Sequence, residues 1–512
     1  MKTRVWITVG GIILLIAMAA AYFALKSAYQ PVSSEQDASI PAKSQNNQKQ
    51  KAGKNDDPSQ TAMANLIPTN PAFLAPEIVA SPTDKSITVN VVPAKKLELY
   101  IEYGKESGIY QSKTPAITVE ASISKEIVID QLEANTRYYY RLQYREIGAG
   151  AFTNGKENSF MTQRTPGRAF TFALQGDSHP ERPQMFDPAL YLQTMKNVQA
   201  DKPDFYITIG DDFSIEKVNP LAKEGVEKLY LLQRQYLGQI GSSAPLFLVN
   251  GNHEHAARYM LNGTANNPAV WGQNARNMYF SQPAPNSFYT GDMEQVPFIG
   301  YLRDYYAWTW GDALFVTIDP YWHSSVAVDG ELGGGDKKPE PWETTLGPQQ
   351  YQWFKKTLEE SKAKYKFVFT HHVQGSGRGG TDLADFYEWG GKSKNGVWEF
   401  DKKRPGWELP IHQLMVKNGV TIYFQGHDHI FVKQERDGVI YQTLPLPADP
   451  NYALYNADAY KTGVKYPGSG HVRVSVEANK AKVEYVASYL PKDVTSGKKN
   501  GDVIYSYTVT PK

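Results

Sequence analysis

Two patterns of apolar and polar positions divide the chain. Between about Pro76 and Arg164, apolar and polar residues alternate over short runs: Ser86–Val92, Leu97–Tyr103, Lys125–Ile129 and Thr136–Tyr144, with turn residues between them. Alternation puts every second side chain on one face, so each run predicts a half-buried strand, and strands at this spacing predict a small antiparallel, immunoglobulin-like sandwich. From Phe170 the pattern changes to continuous apolar runs at Phe170–Leu174, Phe205–Ile209, Leu246–Val249, Ala313–Ile318, Phe367–Phe369 and Thr421–Phe424. Unbroken β-rich runs predict strands buried on both faces. Helical stretches at Asp187–Gln199, Lys223–Leu237 and Gln349–Lys364 lie between them. The predicted class is therefore an α/β (α+β) domain of stacked sheets flanked by helices. Val472–Val476 and Ala481–Val486 predict a hairpin closing the second sheet, and Ile504–Val509 a further strand.

The N-terminus carries a different signal. Lys2 and Arg4 precede an uncharged apolar run from Val5 to Leu25, closed by Lys26. That length is close to the ~20 residues that span a bilayer, while Ala17, Ala19 and Ala21 offer a cleavage site. The run predicts a membrane-type helix, either kept as an anchor or removed as a signal, and both readings put the bulk of the protein outside the cytoplasm. A polar stretch without apolar periodicity follows and reads as a flexible tether. The expected organisation is residues 1–29 as signal or anchor, 30–75 as linker, 76–165 as the β-sandwich and 166–512 as the catalytic domain.

Composition narrows the chemistry. The 512-residue chain has no cysteine and a formal net charge of +1. Thiolate metal sites and cysteine nucleophiles are excluded, and no global field favours nucleic acid. Candidate metal ligands reduce to His, Asp, Glu and Asn.

Five motifs each follow an apolar run: Gly176-Asp177-Ser178-His179, Gly210-Asp211-Asp212-Phe213, Gly251-Asn252-His253-Glu254, Thr370-His371-His372 and Gly426-His427-Asp428-His429. Four begin with a glycine, which lets the chain turn sharply as it leaves a strand. Six of the ten histidines lie in these motifs. As single residues, Asp177 and Asp211 would serve equally as helix caps, but caps do not explain the histidines.

In motif order, the segment from about Phe170 to Val486 resembles the calcineurin-like metallophosphoesterase family, whose pattern is D-x-H, G-D-x-x, G-N-H-[DE], a strand-closing histidine and G-H-x-H. The resemblance implies a four-layer sandwich holding two metal ions (iron, manganese or zinc) and a small phosphorylated substrate. It assigns Asp177, His179 and His429 to the first ion and Asn252, His371 and His427 to the second. Asp211 bridges them together with a hydroxide nucleophile. His253 is not a ligand; it faces the substrate as the acid, with Asn252 beside it. The physical logic agrees: cations roughly 3.5–4 Å apart need a shared carboxylate, and they make a hydroxide available near neutral pH.

His371 and His372 point in opposite directions on an extended chain, so one is a ligand. The family's V-x-x-H pattern matches Val368-Phe369-Thr370-His371, which selects His371 and leaves His372 to line the substrate pocket. Arg378, in a glycine-rich loop, is the candidate guanidinium for a phosphate. Leu132–Tyr138 resembles the fibronectin type III corner, with Tyr138 as its tyrosine. A fibronectin-like module before such a domain resembles the layout of purple acid phosphatases. Their metal-binding tyrosine is Ser214 here, however, and His179 stands where they lack a histidine. The expected activity is a phosphomonoesterase; a phosphodiesterase with the same site and an inert cell-surface binding module are the alternatives. His255, His323, His412 and His471 lack ligand spacing and read as structural.

Overall fold

In the computed structural model, residues 70–254, 256–328, 341–373 and 377–512 are described. The apolar run Val5–Leu25, the tether to residue 69 and His255 lie outside the described residues. Among the described residues, no helix is long and apolar enough to cross a membrane.

The alternating region folds into two facing antiparallel sheets. One contains Phe73–Ala80, Ile87–Pro93 and Lys125–Ile129; the other is built on Leu97–Gly104 paired with Arg137–Glu146. Their inward side chains, among them Val79, Val89, Leu99, Ile101, Tyr140 and Phe160, form one core. At the corner, the Tyr138 hydroxyl accepts the backbone N–H of Glu133 at 3.0 Å. The first strand begins at Phe73, within the stretch read as linker.

The continuous apolar runs form two stacked sheets. In the six-stranded sheet, Phe170–Gln175, Phe205–Thr208 and Leu246–Leu248 run parallel. In the eight-stranded sheet, Ala313–Thr317, Tyr365–Phe369, Ile422–Gln425 and Val439–Thr443 run parallel. Aromatic rings fill the space between the sheets; Phe172 meets Phe315 edge-on with centroids 5.1 Å apart. Helices Pro188–Asp201, Lys223–Gly241 and Pro268–Phe280 cover the outside of the first sheet, and Gly347–Glu360 and Ile411–Lys417 cover the second. The order helix, sheet, sheet, helix makes the four layers. Helix starts follow local chemistry: Asp187 accepts the N–H groups of Ala189 and Leu190 ahead of Pro188, and Asn267 accepts that of Val270.

The C-terminal hairpin departs from expectation. Gly470–Val476 pairs antiparallel with Phe170–Gln175, so the hairpin extends the first sheet instead of closing the second. The register sets Val472, Val474 and Val476 opposite Leu174, Phe172 and Phe170, and all six side chains complete the inter-sheet core.

The sandwich is joined to the stacked-sheet domain through a buried arginine. Arg234, on the helix Lys223–Gly241, donates to the carbonyls of Pro76, Asn90 and Tyr279 and to the Asn90 side chain. Gly238 makes room for this contact, since a Cβ there would lie 2.9 Å from the Pro76 ring.

Candidate metal centre

Each of the five motifs begins where a strand ends at its carboxyl edge, three on the first sheet and two on the second. Sites gather beyond such edges because the strands stop there and the loops are free to converge. The loops approach closely enough to force unusual backbone. His179, Asp211, His427 and His429 all adopt positive φ, between 46° and 66°. Each such residue costs on the order of 1–3 kcal/mol, so it persists only where its surroundings hold it. The Ser178 N–H donates to the Asp211 carbonyl and the Gly426 N–H to that of His371. Glu254 makes the densest tie: its buried carboxylate accepts from the backbone N–H groups of Asp211 (3.0 Å), Asp212 (2.8 Å) and Gly251 (2.6 Å).

Gly251 and Gly426 are required by contact, not by turning. A Cβ on Gly251 would stand 2.2 Å from Asp211 Oδ1, and one on Gly426 would stand 2.5 Å from Asp177 Oδ1.

The two carboxylates are set alike. Asp177 Oδ1 accepts the His427 N–H at 2.8 Å, and Asp211 Oδ1 accepts the His253 N–H at 2.9 Å. The Oδ2 atoms face imidazoles: that of Asp177 lies 3.0 Å from His429 Nε2, and that of Asp211 lies 3.0 Å from His371 Nε2. His371 Nδ1 donates to the Ile209 carbonyl at 2.8 Å, which fixes its tautomer and leaves Nε2 for the site. His179 is oriented by Glu181 and Ser214 at its Nδ1, and its buried Nε2 has no hydrogen-bond partner among the described residues.

Among the described residues, donor atoms fall into three sets, each within 4.8 Å: Asp177, His179 and His429; Asp211, His371 and His427; and His179, Asp211 and His253. Asn252 is buried on the turn beside His253. Burial alone would raise the Asp211 carboxyl, but the His371 and His253 imidazoles hold it well below the usual range. Buried lone pairs converging from carboxylates and imidazoles are a donor set suited to divalent cations.

A family model described as calcineurin-like phosphoesterase matches residues 170–431, just over half of the chain. The protein belongs to the calcineurin-like phosphoesterase family. Membership makes it a metal-dependent phosphoester hydrolase and implies divalent ions at the His/Asp clusters. The solved structure of PhoD is similar in fold, with 14% identity and a TM-score of 0.62 over 86% of this chain and 91% of that one. GAP50, the anchor in the inner membrane complex of Plasmodium, aligns over 67% of this chain and 89% of its own at 14% identity, with a TM-score of 0.35. No curated protein matches the chain by sequence.

Around the clusters, the phosphoesterase carries polar groups that sequence reasoning missed. His253 Nδ1 lies 2.9 Å from Glu216, and its Nε2 lies 3.0 Å from Arg182. Arg182 comes from irregular loop and Glu216 from the short turn Ile215–Lys217, where no periodicity marks them; for Arg182 the only signal is the charged pair Glu181-Arg182 shortly after the first motif. Adjacent aspartates also divide their labour. Asp212 turns away from the centre and accepts from Thr208 Oγ1 at 2.6 Å, and burial pushes its carboxyl up to about 7. Behind the third motif, Asn250 donates to Asp319 at 2.7 Å.

The other candidates fall as follows. His372 stacks on Tyr321, its Nδ1 2.7 Å from that hydroxyl, and belongs to none of the three sets. Arg378 Nη1 donates to the His427 carbonyl and to Asp428 Oδ1, bracing the fifth motif of the phosphoesterase. His412 bridges Tyr441 and Asp437, and His471 contacts Asp201.

Proposed function

We propose that the protein is a binuclear phosphomonoesterase that works outside the cytoplasm. The observation that carries the reading is the matched pair of buried carboxylates, each with one oxygen tied to backbone and the other turned to imidazoles, with Asp211 common to two donor sets. Asp177, His179 and His429 would hold one ion, Asn252, His371 and His427 the other, and Asp211 both. Bound there, two divalent cations supply charge neutralisation at the phosphoryl group and acidify the attacking water.

The chain's own groups orient the substrate and move the proton. Glu216 Oε1 lies 2.9 Å from His253 Nδ1 and so holds the ring with Nε2 towards Asp211, 3.9 Å from its Oδ2. Water oxygen bonds to phosphorus as the ester P–O bond breaks. The acid form of His253 carries a proton on both ring nitrogens, so Nε2 gives up its contact with Arg182; it delivers that proton to the departing oxygen, and the products are an alcohol and inorganic phosphate. His372, walled against Tyr321, and Arg378, beside His427, are the remaining candidates for contact with the substrate. The basic and then apolar N-terminus supports the extracytoplasmic location.

The test compares a phosphomonoester and a phosphodiester on the full chain in detergent, stripped and reloaded with manganese, zinc or iron. Metal-dependent turnover that favours the monoester and disappears in Asp211→Asn is expected. Turnover that survives in Asp211→Asn would refute the shared carboxylate, and a preference for the diester would refute the substrate class.

A further inference from the structure

We propose that Arg182 holds a non-bridging oxygen of the phosphoryl group beside His253 and thereby sets the preference for monoester dianions, an inference that rests on the phosphoesterase reading above. The guanidinium is fixed from one side. Its Nη2 and Nε donate to Ser214 Oγ at 2.6 and 3.2 Å. The same hydroxyl lies 3.2 Å from His179 Nδ1, so the arginine is tied to an imidazole whose other nitrogen faces the metal clusters. From the other side, Nη2 reaches to 3.0 Å from His253 Nε2, and that atom lies 3.9 Å from Asp211 Oδ2. Arg182 therefore borders the place where a phosphoryl group would lie with its metal-facing oxygens towards Asp211 and its leaving oxygen towards His253.

Two carboxylates oppose this role in part. Glu181 and Glu216 stand 3.4 and 3.6 Å from the guanidinium and offset some of its charge. They also keep its long side chain in one orientation, which lowers the entropy lost when an anion binds. The side chain remains 18% exposed, so one edge is open to a ligand. Arg378 is turned differently, with Nη1 committed to the His427 carbonyl and Asp428.

Substrate class follows from charge. A guanidinium forms its strongest hydrogen bonds with ionised oxygen. A monoester dianion presents three terminal oxygens, whereas a diester carries one charge and puts an alkoxy group in one of those positions. The gain from Arg182 is therefore larger for the monoester. Ser214 is part of the same device: its hydroxyl serves His179 and Arg182 at once.

The test uses metal-loaded full chain with Arg182→Gln and Arg182→Lys. It measures metal content, kcat/KM for a monoester and a diester, and binding of inorganic phosphate by calorimetry. With metal content unchanged, Arg182→Gln is expected to lower monoester kcat/KM about 100-fold, diester kcat/KM less than about 5-fold and phosphate affinity about 10-fold or more. Arg182→Lys should recover part of the monoester rate. Equal losses on both substrates with phosphate affinity intact would reduce Arg182 to a support for His253 and overturn the proposal. If the wild type turned over neither ester, the parent reading would fail on its own. Phosphate binding would still decide for Arg182 if Arg182→Gln abolished it, and against if it did not.

Discussion

Gly251→Ala tests the claim that close approach, not turning, places glycine in the third motif. The added methyl would lie 2.2 Å from Asp211 Oδ1, 2.4 Å from Asp211 N and 2.8 Å from Glu254 Oε2. Ordinary contact begins near 3.4 Å, so either the Asp211 loop or the Gly251 loop must retreat by about 1 Å. Neither is free to do so. Glu254 ties both loops through three backbone N–H groups, and the Asn250–Asp319 hydrogen bond holds the Gly251 side from behind. Overpacking of this kind costs about 1–3 kcal/mol, and a 1 Å displacement at a reacting centre costs about 100-fold in rate. The expected variant folds, unfolds a few degrees lower, loses bound metal and falls about 100-fold in kcat/KM. Metal content by mass spectrometry, thermal unfolding and kinetics on one preparation read all three. Gly263→Ala is the control: its φ is +77°, but nothing lies within 4 Å of the new Cβ, so it should cost only about 1–2 kcal/mol of backbone strain and leave activity unchanged. A Gly251→Ala protein with full metal content and a rate within twofold of wild type would refute the reasoning.

Other outcomes follow from the same geometry. Glu216→Gln should slow an alkyl phosphate about 10-fold and a nitrophenyl phosphate much less, because only the poor leaving group needs the proton from His253; equal slowing of both would rule out that role. Arg234→Met should lower stability by about 3–5 kcal/mol, because the carbonyls of Pro76, Asn90 and Tyr279 lose their donor; a denaturation shift worth under about 1 kcal/mol would mean water replaces it. Burial holds the His412 imidazole below its ordinary value, with Asp437 and Asp385 opposing and Arg436 reinforcing that shift. Its neutral form is therefore the one the fold favours, and its contribution is complete above the unfolded value of about 6.5 and lost as pH falls below it. Between pH 7 and 5, metal-stripped wild type should lose more stability than His412→Asn, and parallel denaturation curves for the two would contradict this.

Much of the scaffold was legible because burial on both faces writes itself as unbroken apolar runs. The strands at Phe170, Phe205, Phe367 and Thr421 and the helices near Asp187 and Lys223 lie within a few residues of their expected positions. The helix Pro268–Phe280 is not among the predicted elements, though Asn267-Pro268 carries a helix-start signal. The hairpin at Gly470 went to the other sheet because a strand's partner depends on which edge is vacant, and alternation alone does not record that.

What the sequence determined by itself was the inventory of the site: which aspartates and histidines end strands, and in what order. Strand ends are local features, and a polar residue breaking an apolar run is visible without knowing what lies opposite. Only the tertiary structure decided how those residues are used. It turned Asp211 inward and Asp212 towards Thr208, set His372 against Tyr321, pointed Arg378 at the His427 carbonyl and brought Arg182 and Glu216 to His253. Orientation on a loop is fixed by hydrogen bonds to residues distant in the chain, and those partners exist only once two sheets have been stacked to bring their loops together.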